Sequence, residues 1–187
     1  MSELTFAQPE RRSFLLPAVI AIVVLAIVIG IVYSFVPHRV ADLTLTHVAV
    51  LPEHTVFSSD SKVVGQQAPF DDDLYILATV HVDNRLSVPL TLDDITGTLT
   101  APDGTETTTS AIQKRDLPNL YITFPALVPL SSAPLLREST IQPAGHTEGM
   151  VLLHYPIAQA EWNQRKSASI ILKFYNQDPL IVPLPKQ

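Results

Sequence analysis

The feature that most constrains this chain is a run of 25 residues, Ser13 to Pro37, that contains no charged side chain. An apolar stretch needs about 20 residues, each rising about 1.5 Å, to cross the hydrocarbon of a bilayer as a helix. Phe14 to Val36 meets that length with some tilt. Pro17 falls in the first helical turn, where its missing N–H takes no hydrogen bond from the helix. Tyr33 and Phe35 are placed for one membrane interface. A cleaved signal peptide has a shorter apolar region, about 7–15 residues, and a small-x-small cleavage site. The sequence Val36-Pro37-His38-Arg39-Val40 has no such site. The run therefore reads as an uncleaved signal anchor, with domains at 1–13 (cytoplasmic tail), 14–37 (transmembrane) and 38–187 (exported). Arg11 and Arg12 precede the span and only Arg39 closely follows it. That bias keeps the N-terminus cytoplasmic and places the long C-terminal part outside the inner membrane.

Ala26, Gly30 and Ser34 recur every four residues in the span. Small residues at that spacing lie on one helix face and let a second helix approach closely. They are the candidate helix-packing residues, for self-association or a protein partner.

Composition narrows the chemistry. The 187 residues carry 12 Lys+Arg against 18 Asp+Glu, a net charge of −6. No basic face suited to nucleic acid is visible, so no nucleic-acid partner is expected. There is no cysteine. That excludes disulfides, thiolate catalysis and thiolate-held metals. G-x-S-x-G, S-x-x-K and P-loop motifs are absent, so no catalytic residue, no cofactor and no enzyme activity are predicted.

Residues 38–187 are long enough for one core. Their short apolar runs are punctuated by Pro and Gly and rich in Thr, the pattern of an all-β sandwich or barrel. Strands are expected at 41–51, 74–84, 88–92, 95–100, 105–111, 148–155, 169–175 and 180–184. In the second, Leu74, Ile76, Ala78, Val80 and Val82 share one face, and Tyr75, Leu77, Thr79, His81 and Asp83 the other. Residues 52–70 read as a long loop with a turn cluster at 58–61. Ala101-Pro102-Asp103-Gly104 suits a type I turn. Leu117, Leu120, Tyr121 and Phe124 have helical spacing that Pro125 ends. A second short helix surrounds Trp162. Asn84 closes a strand where its side chain can bond the next turn. Gly149 inside a strand predicts a bulge or a close backbone approach.

These features together resemble a family. The residues are Val80-x-Val82-x-Asn84 with Pro89-Leu90, Gly97-x-Leu99-x-x-Pro102-x-Gly104, Ile141-x-Pro143-x-Gly145-x-x-x-Gly149-Met150-Val151, and Phe174-Tyr175-Asn176-Gln177-x-Pro179-Leu180. They resemble bacterial membrane-anchored immunoglobulin-like domains. Those are similar to telokin-like exported domains of unknown function and to the late-embryogenesis-abundant type 2 sandwich. The resemblance spans most of residues 40–184. It implies an immunoglobulin-like antiparallel sandwich of about seven strands and brings no catalytic residues with it. The 117–127 segment is an insertion relative to the smallest such domains.

Several residues carry a chemical alternative. His146, Met150 and His154 combine imidazoles with a thioether, a donor set that suits copper. They are the metal candidates, although no fixed-spacing metal motif is present. Asp71-Asp72-Asp73 with Asp93-Asp94 would supply hard oxygens for calcium, without EF-hand spacing. Trp162 would anchor a partner if exposed. Leu127, Val128, Leu130, Leu135 and Leu136 form an apolar excursion that either covers the core or docks a partner. The leading expectation is a non-enzymatic interaction or accessory module that docks through strand edges or loops. The alternative is a small-ligand or lipid binder using the interior or a cleft by residues 112–136.

Overall fold

The computed structural model describes residues 15–35, 40–56 and 70–186. The expected turn cluster at 58–61 and the flanks of the apolar run lie outside them. The chain divides into two compact units, 1–38 and 39–187.

The first unit holds α1, Leu15–Phe35, 21 residues long. Leu, Ile and Val stand exposed on all its sides. A helix apolar all round suits a bilayer. At about 1.5 Å per residue it spans about 31 Å, matching the roughly 30 Å hydrocarbon layer. By length and composition it can cross a membrane or serve as a signal sequence.

The second unit contains β1 (Ala41–Val56), β2 (Phe70–Asn84), β3 (Leu90–Thr100), β4 (Glu106–Ser110), α2 (Leu117–Thr123), a 3-10 helix over Pro125–Leu130, β5 (Thr140–Ile141), β6 (His146–Tyr155), α3 (Gln159–Gln164), β7 (Ser167–Phe174) and β8 (Leu180–Pro183). One sheet has the order β1-β2-β6. The other runs β4-β3-β7-β8, with β5 paired to the start of β3. Every ladder between these strands is antiparallel. The two sheets face each other across one core. Leu74, Ile76, Val80 and Leu153 from the first meet Leu92, Ile95, Ile170 and Leu172 from the second. The domain is thus a β-sandwich, with eight strands among the described residues.

Two bulges decide which residues face that core. In β1 the register shifts between Leu45 and His47. Leu43 and Leu45 therefore share the core-facing side with Val48 and Val50, although their parity differs. In β3 the register shifts between Leu92 and Asp94. Leu90 and Leu92 then point inward together with Ile95 and Leu99. One extra residue in a strand has this effect on everything beyond it. For that reason the runs expected as separate strands at 88–92 and 95–100 are one strand. It lies in the second sheet and does not continue the 74–84 strand.

Other boundaries also differ from expectation. β1 runs past Leu51 to Val56, and Pro52 lies inside it. The lost N–H is tolerated because β1 is an edge strand. β2 begins at Phe70, so Asp71 to Asp73 belong to a strand and not to a loop. They pair with Thr55, His54 and Glu53 across the ladder.

Three of the punctuating residues do what their chemistry predicts. Asn84 is buried; its amide donates to the carbonyls of Val88 (2.9 Å), Ile141 (3.0 Å) and Gln142 (3.1 Å). Its Oδ1 accepts the Leu86 N–H at 2.9 Å, the expected bond to the next turn. Gly104 has φ +97° and closes the β3–β4 hairpin, where only glycine is unstrained. A Cβ on Gly149 would lie 2.6 Å from the backbone of Leu135, so β6 admits the 133–135 segment only because this residue is glycine.

That segment belongs to a third layer. Met150 N donates to Ala133 O (2.8 Å), Leu135 N donates to Met150 O (2.9 Å), and the two runs form a parallel bridge at Pro134. The α2 and 3-10 helices then cover the outer face of the β1-β2-β6 sheet. Tyr75, Leu77, Met150 and Leu152 are buried there against Leu117 and Leu127. Leu120, Tyr121 and Phe124, the other members of the helical stripe, pack around them.

Candidate functional site

The side chains singled out in the sequence are dispersed. His146, Met150 and His154 share one face of β6 but stand four residues apart, so about 13 Å separates successive members. Each has a different neighbour. The Met150 sulfur accepts the Ser132 N–H at 3.4 Å within the helical layer. His154 Nε2 lies 2.5 Å from Asp73 Oδ1, and its ring stacks on Tyr75 at 5.0 Å. His146 stacks on His81 at 5.3 Å. His81 in turn lies 3.4 Å from Asp83 and 3.6 Å from Glu148. The strand does not converge the three proposed copper donors. Among the described residues, no group of three or more His, Asp or Glu side chains is placed to hold a metal ion.

The acidic runs are likewise separated, one in each sheet. Asp72 meets His54 at 2.6 Å and Asp73 meets His154. Asp94 accepts from the Ile95 N–H (2.9 Å) and pairs with Arg137 (2.9 Å). Asp93 accepts the Tyr175 hydroxyl, which raises that phenol's pKa. The clustered charges and burial act on Tyr75 too. Desolvation first, then Asp73 and Glu53, push its pKa up to about 12.

Trp162 is buried in the core, not exposed as an anchor. The Arg165 guanidinium sits 3.7 Å over its ring and donates to the carbonyls of Trp162 (2.8 Å) and Pro185 (2.6 Å). Burial lowers the Arg165 pKa. This pair fastens the C-terminal strand end to α3. Of the apolar excursion, Leu127 and Leu135 are buried, while Val128, Leu130 and Leu136 are exposed. The excursion mainly covers the sheet. In α1, Ala26 and Gly30 lie on the described helix; the side chain of Ser34 is outside the described residues.

What the fold does assemble is a trough beside α2. After β4 the chain crosses from one sheet to the other. Ala111 N donates to Ile95 O of the second sheet (2.9 Å), and Ile112 N donates to Leu152 O of the first (2.8 Å). Each sheet therefore holds one of two successive amides, and the crossover lies fixed along the sandwich edge. On its α2 side opens a hollow of about 580 Å³, bounded by Asn119, Leu120 and Thr123. On the other side is a hollow of about 250 Å³, bounded by Lys114, Arg115, Leu135 and Leu136. Both share Ala111, Ile112, Gln113 and Arg137. Arg137 is half-buried and donates to Ala111 O at 3.3 Å as well as pairing with Asp94. The trough offers apolar walls, one fixed cation (Arg137), two exposed cations (Lys114 and Arg115) and, on the α2 side, the Asp116 carboxylate, a combination that binds and does not by itself cut or transfer bonds.

The region between 112 and 136 is where the sequence places a cleft, but the residues that form it are not recognisable there. They come from β3, the crossover, α2 and the segment after the 3-10 helix. Lys114, Arg115 and Arg137 carry no motif and meet only through long-range pairing.

No family model and no curated protein matches the sequence. Among solved structures, the chain is similar to an uncharacterised β-sandwich protein of Clostridium difficile, at 10% identity over 80% of this chain and 89% of that one, with a TM-score of 0.38. It is also similar to a functionally unknown protein of Listeria monocytogenes, at 11% identity over 78% and 88% of the two chains, with a TM-score of 0.37.

Proposed function

We propose that this chain is a single-pass protein of the inner membrane whose exported, immunoglobulin-like sandwich is a non-enzymatic binding module. The anchor is α1, with the N-terminus cytoplasmic and residues 38–187 on the outer side. The observation that carries the binding role is the trough along Ala111–Gln113. Its larger hollow, about 580 Å³, lies within the roughly 300–1,000 Å³ range of ligand sites, and the smaller one, about 250 Å³, adjoins it through Ala111, Ile112, Gln113 and Arg137. The interior between the sheets is filled by side chains such as Leu74, Ile76 and Ile170, each fully buried. A ligand therefore meets the domain at the trough and not between the sheets. The helix stripe Ala26, Gly30, Ser34 supplies the second contact, pairing α1 with another copy or with a partner's helix.

A photo-crosslinking residue at Asn119 of the full chain, in its native membrane, tests the binding role. A discrete adduct from position 119 that is absent from position 98, on the far sheet, is expected. Equal labelling at both positions would remove the trough as the binding site. Protease added to intact cells stripped of their wall should digest the sandwich and spare α1. Protection of the sandwich would reverse the orientation.

A further inference from the structure

Resting on the binding-module reading, we infer that the trough takes an anionic amphiphile: a phosphate or carboxylate head carrying an alkyl chain. The head would sit among Lys114, Arg115 and Arg137, and the chain against Ile112, Leu135 and Leu136.

Charge distribution is the first support. The whole chain carries a net −6, with 12 Lys+Arg. Three of those twelve line the same 250 Å³ hollow, and no carboxylate lines it. Random placement on an acidic protein does not favour such a gathering, and like charges close together repel unless a counter-charge is bound. The existing counter-charges are incomplete. Asp94 holds one edge of Arg137 at 2.9 Å. Asp116 lies 3.7 Å from Arg115, with both side chains largely exposed, so that pair contributes little. Lys114 has no ion-pair partner among the described residues.

The second support is pre-organisation. Arg137 is held by Asp94 and by Ala111 O, so part of its ordering entropy is already spent before a ligand arrives. Both contacts use Nη2, so the Nε and Nη1 N–H groups are left, each able to donate a single charge-assisted hydrogen bond to a carboxylate or phosphate oxygen.

The third support is the wall beside the cations. Leu136 is 42% exposed next to them, Leu135 lies at the base of the same hollow, and Ile112 continues the apolar surface into the larger one. A bare anion would leave these walls in water. An alkyl chain attached to the anion covers them and gains the apolar burial. A protein anchored in a bilayer lives where such molecules are concentrated.

The test is calorimetric titration of the full chain in phosphatidylcholine nanodiscs, with empty nanodiscs subtracted. The probes are octyl phosphate, octanoate, octanol and inorganic phosphate. Saturable binding of octyl phosphate and octanoate, one per chain, is expected. Octanol and inorganic phosphate should each bind at least about tenfold more weakly, since each lacks one half of the recognised group. The double variant Lys114→Gln/Arg115→Gln changes two exposed side chains, so its melting should match the parent while octyl phosphate affinity falls at least about tenfold. Unchanged affinity in this variant overturns the site. Octanol binding as tightly as octyl phosphate overturns the anionic head, and inorganic phosphate binding as tightly overturns the alkyl chain. Nanodiscs containing phosphatidylglycerol identify the source. Competition with octyl phosphate assigns the site to a bilayer lipid, and its absence assigns it to a free amphiphile. A position-119 adduct that persists when octyl phosphate fails to bind keeps the module reading and removes only this one.

Discussion

The two sheets of the sandwich are built on different rules. The β1-β2-β6 sheet is covered on both faces, by the other sheet on one side and by α2 and the 3-10 helix on the other. Its strands therefore read as nearly continuous apolar runs, Leu74-Tyr75-Ile76-Leu77-Ala78 and Met150-Val151-Leu152-Leu153. Among the described residues, the other sheet is covered on one face only. β3 and β7 alternate inward Leu99, Ala168 and Ile170 with outward Thr98, Thr100, Ser167 and Ser169. The outward hydroxyls bond across strands, Thr98 to Ser169 at 2.7 Å and Thr100 to Ser167 at 3.0 Å. A sheet face that meets water needs no apolar partner and satisfies its polar atoms laterally; a face under a helix must supply a second core.

The largest effect should come from the shared interior. Ile76→Ala opens a cavity between the sheets and should cost about 4 kcal/mol. Leu127→Ala empties the helical layer, which is thinner and nearer solvent, and should cost about 2–3 kcal/mol. Urea unfolding of the full chain in neutral detergent gives both values. Equal costs would mean that the helical layer and the sandwich form one core of uniform tightness. A smaller loss, about 2 kcal/mol, is expected for Gly149→Ala. Its new Cβ meets Leu135 backbone atoms that cannot rotate aside. Amide exchange at Leu135 and Met150 should accelerate in this variant more than exchange at Ile170. Uniform acceleration would show that the segment is not separately attached.

How much of this was legible in the sequence follows from the same contrast. The one-sided sheet declares itself: its alternation, its Pro102–Gly104 turn and its terminal hairpin all stand where local pattern puts them. The stripe Leu117, Leu120, Tyr121, Phe124 identifies the helix, and Gly149 announces the close approach that it makes. Local pattern fails at the β3 bulge, because the parity change beyond Asp93 looks like a strand ending. It fails at Asp71–Asp73, where polar side chains resemble a loop but the backbone is held by β1. The trough is illegible for a further reason. Arg137 and Lys114 meet only because β3, the crossover and the 133–135 segment are drawn together by long-range pairing, which leaves no local periodicity.

Tyrosine ionisation probes the covered faces from a different side. Tyr75 lies under the helical layer and Tyr155 between the sheets, and burial raises the pKa of both phenols. A raised folded pKa gives a contribution that is complete below the ordinary value of 10.0 and is lost as pH rises through the folded value, about 12 for Tyr75. The melting temperature should therefore be flat with respect to tyrosine below pH 10 and fall by a few degrees between pH 10 and about 12. Tyr75→Phe should remove part of that fall. Tyr155→Phe should remove another part and, because the Tyr155 hydroxyl has no hydrogen-bond partner among the described residues, should not destabilise at neutral pH. A fall of unchanged size in both variants would mean that the alkaline transition has another source.

The smallest effect belongs to the bare face. Thr98→Val keeps a β-branched side chain of similar shape and removes one hydroxyl, which leaves the Ser169 hydroxyl without its 2.7 Å partner. The site is only partly buried, so water replaces the lost bond and the change should stay within about 0.5 kcal/mol. The matched change on the covered sheet is Leu77→Thr, which puts a hydroxyl among Leu117, Leu127 and Leu152 and should cost several times more. The ratio of the two measures how differently the sandwich treats its outer faces. A large loss from Thr98→Val would mean that the hydroxyl face is itself covered in the working protein, by a partner or a second copy. A salt- and concentration-dependent unfolding midpoint for the parent chain, lost in the variant, would then separate coverage from an intrinsic role in the sheet.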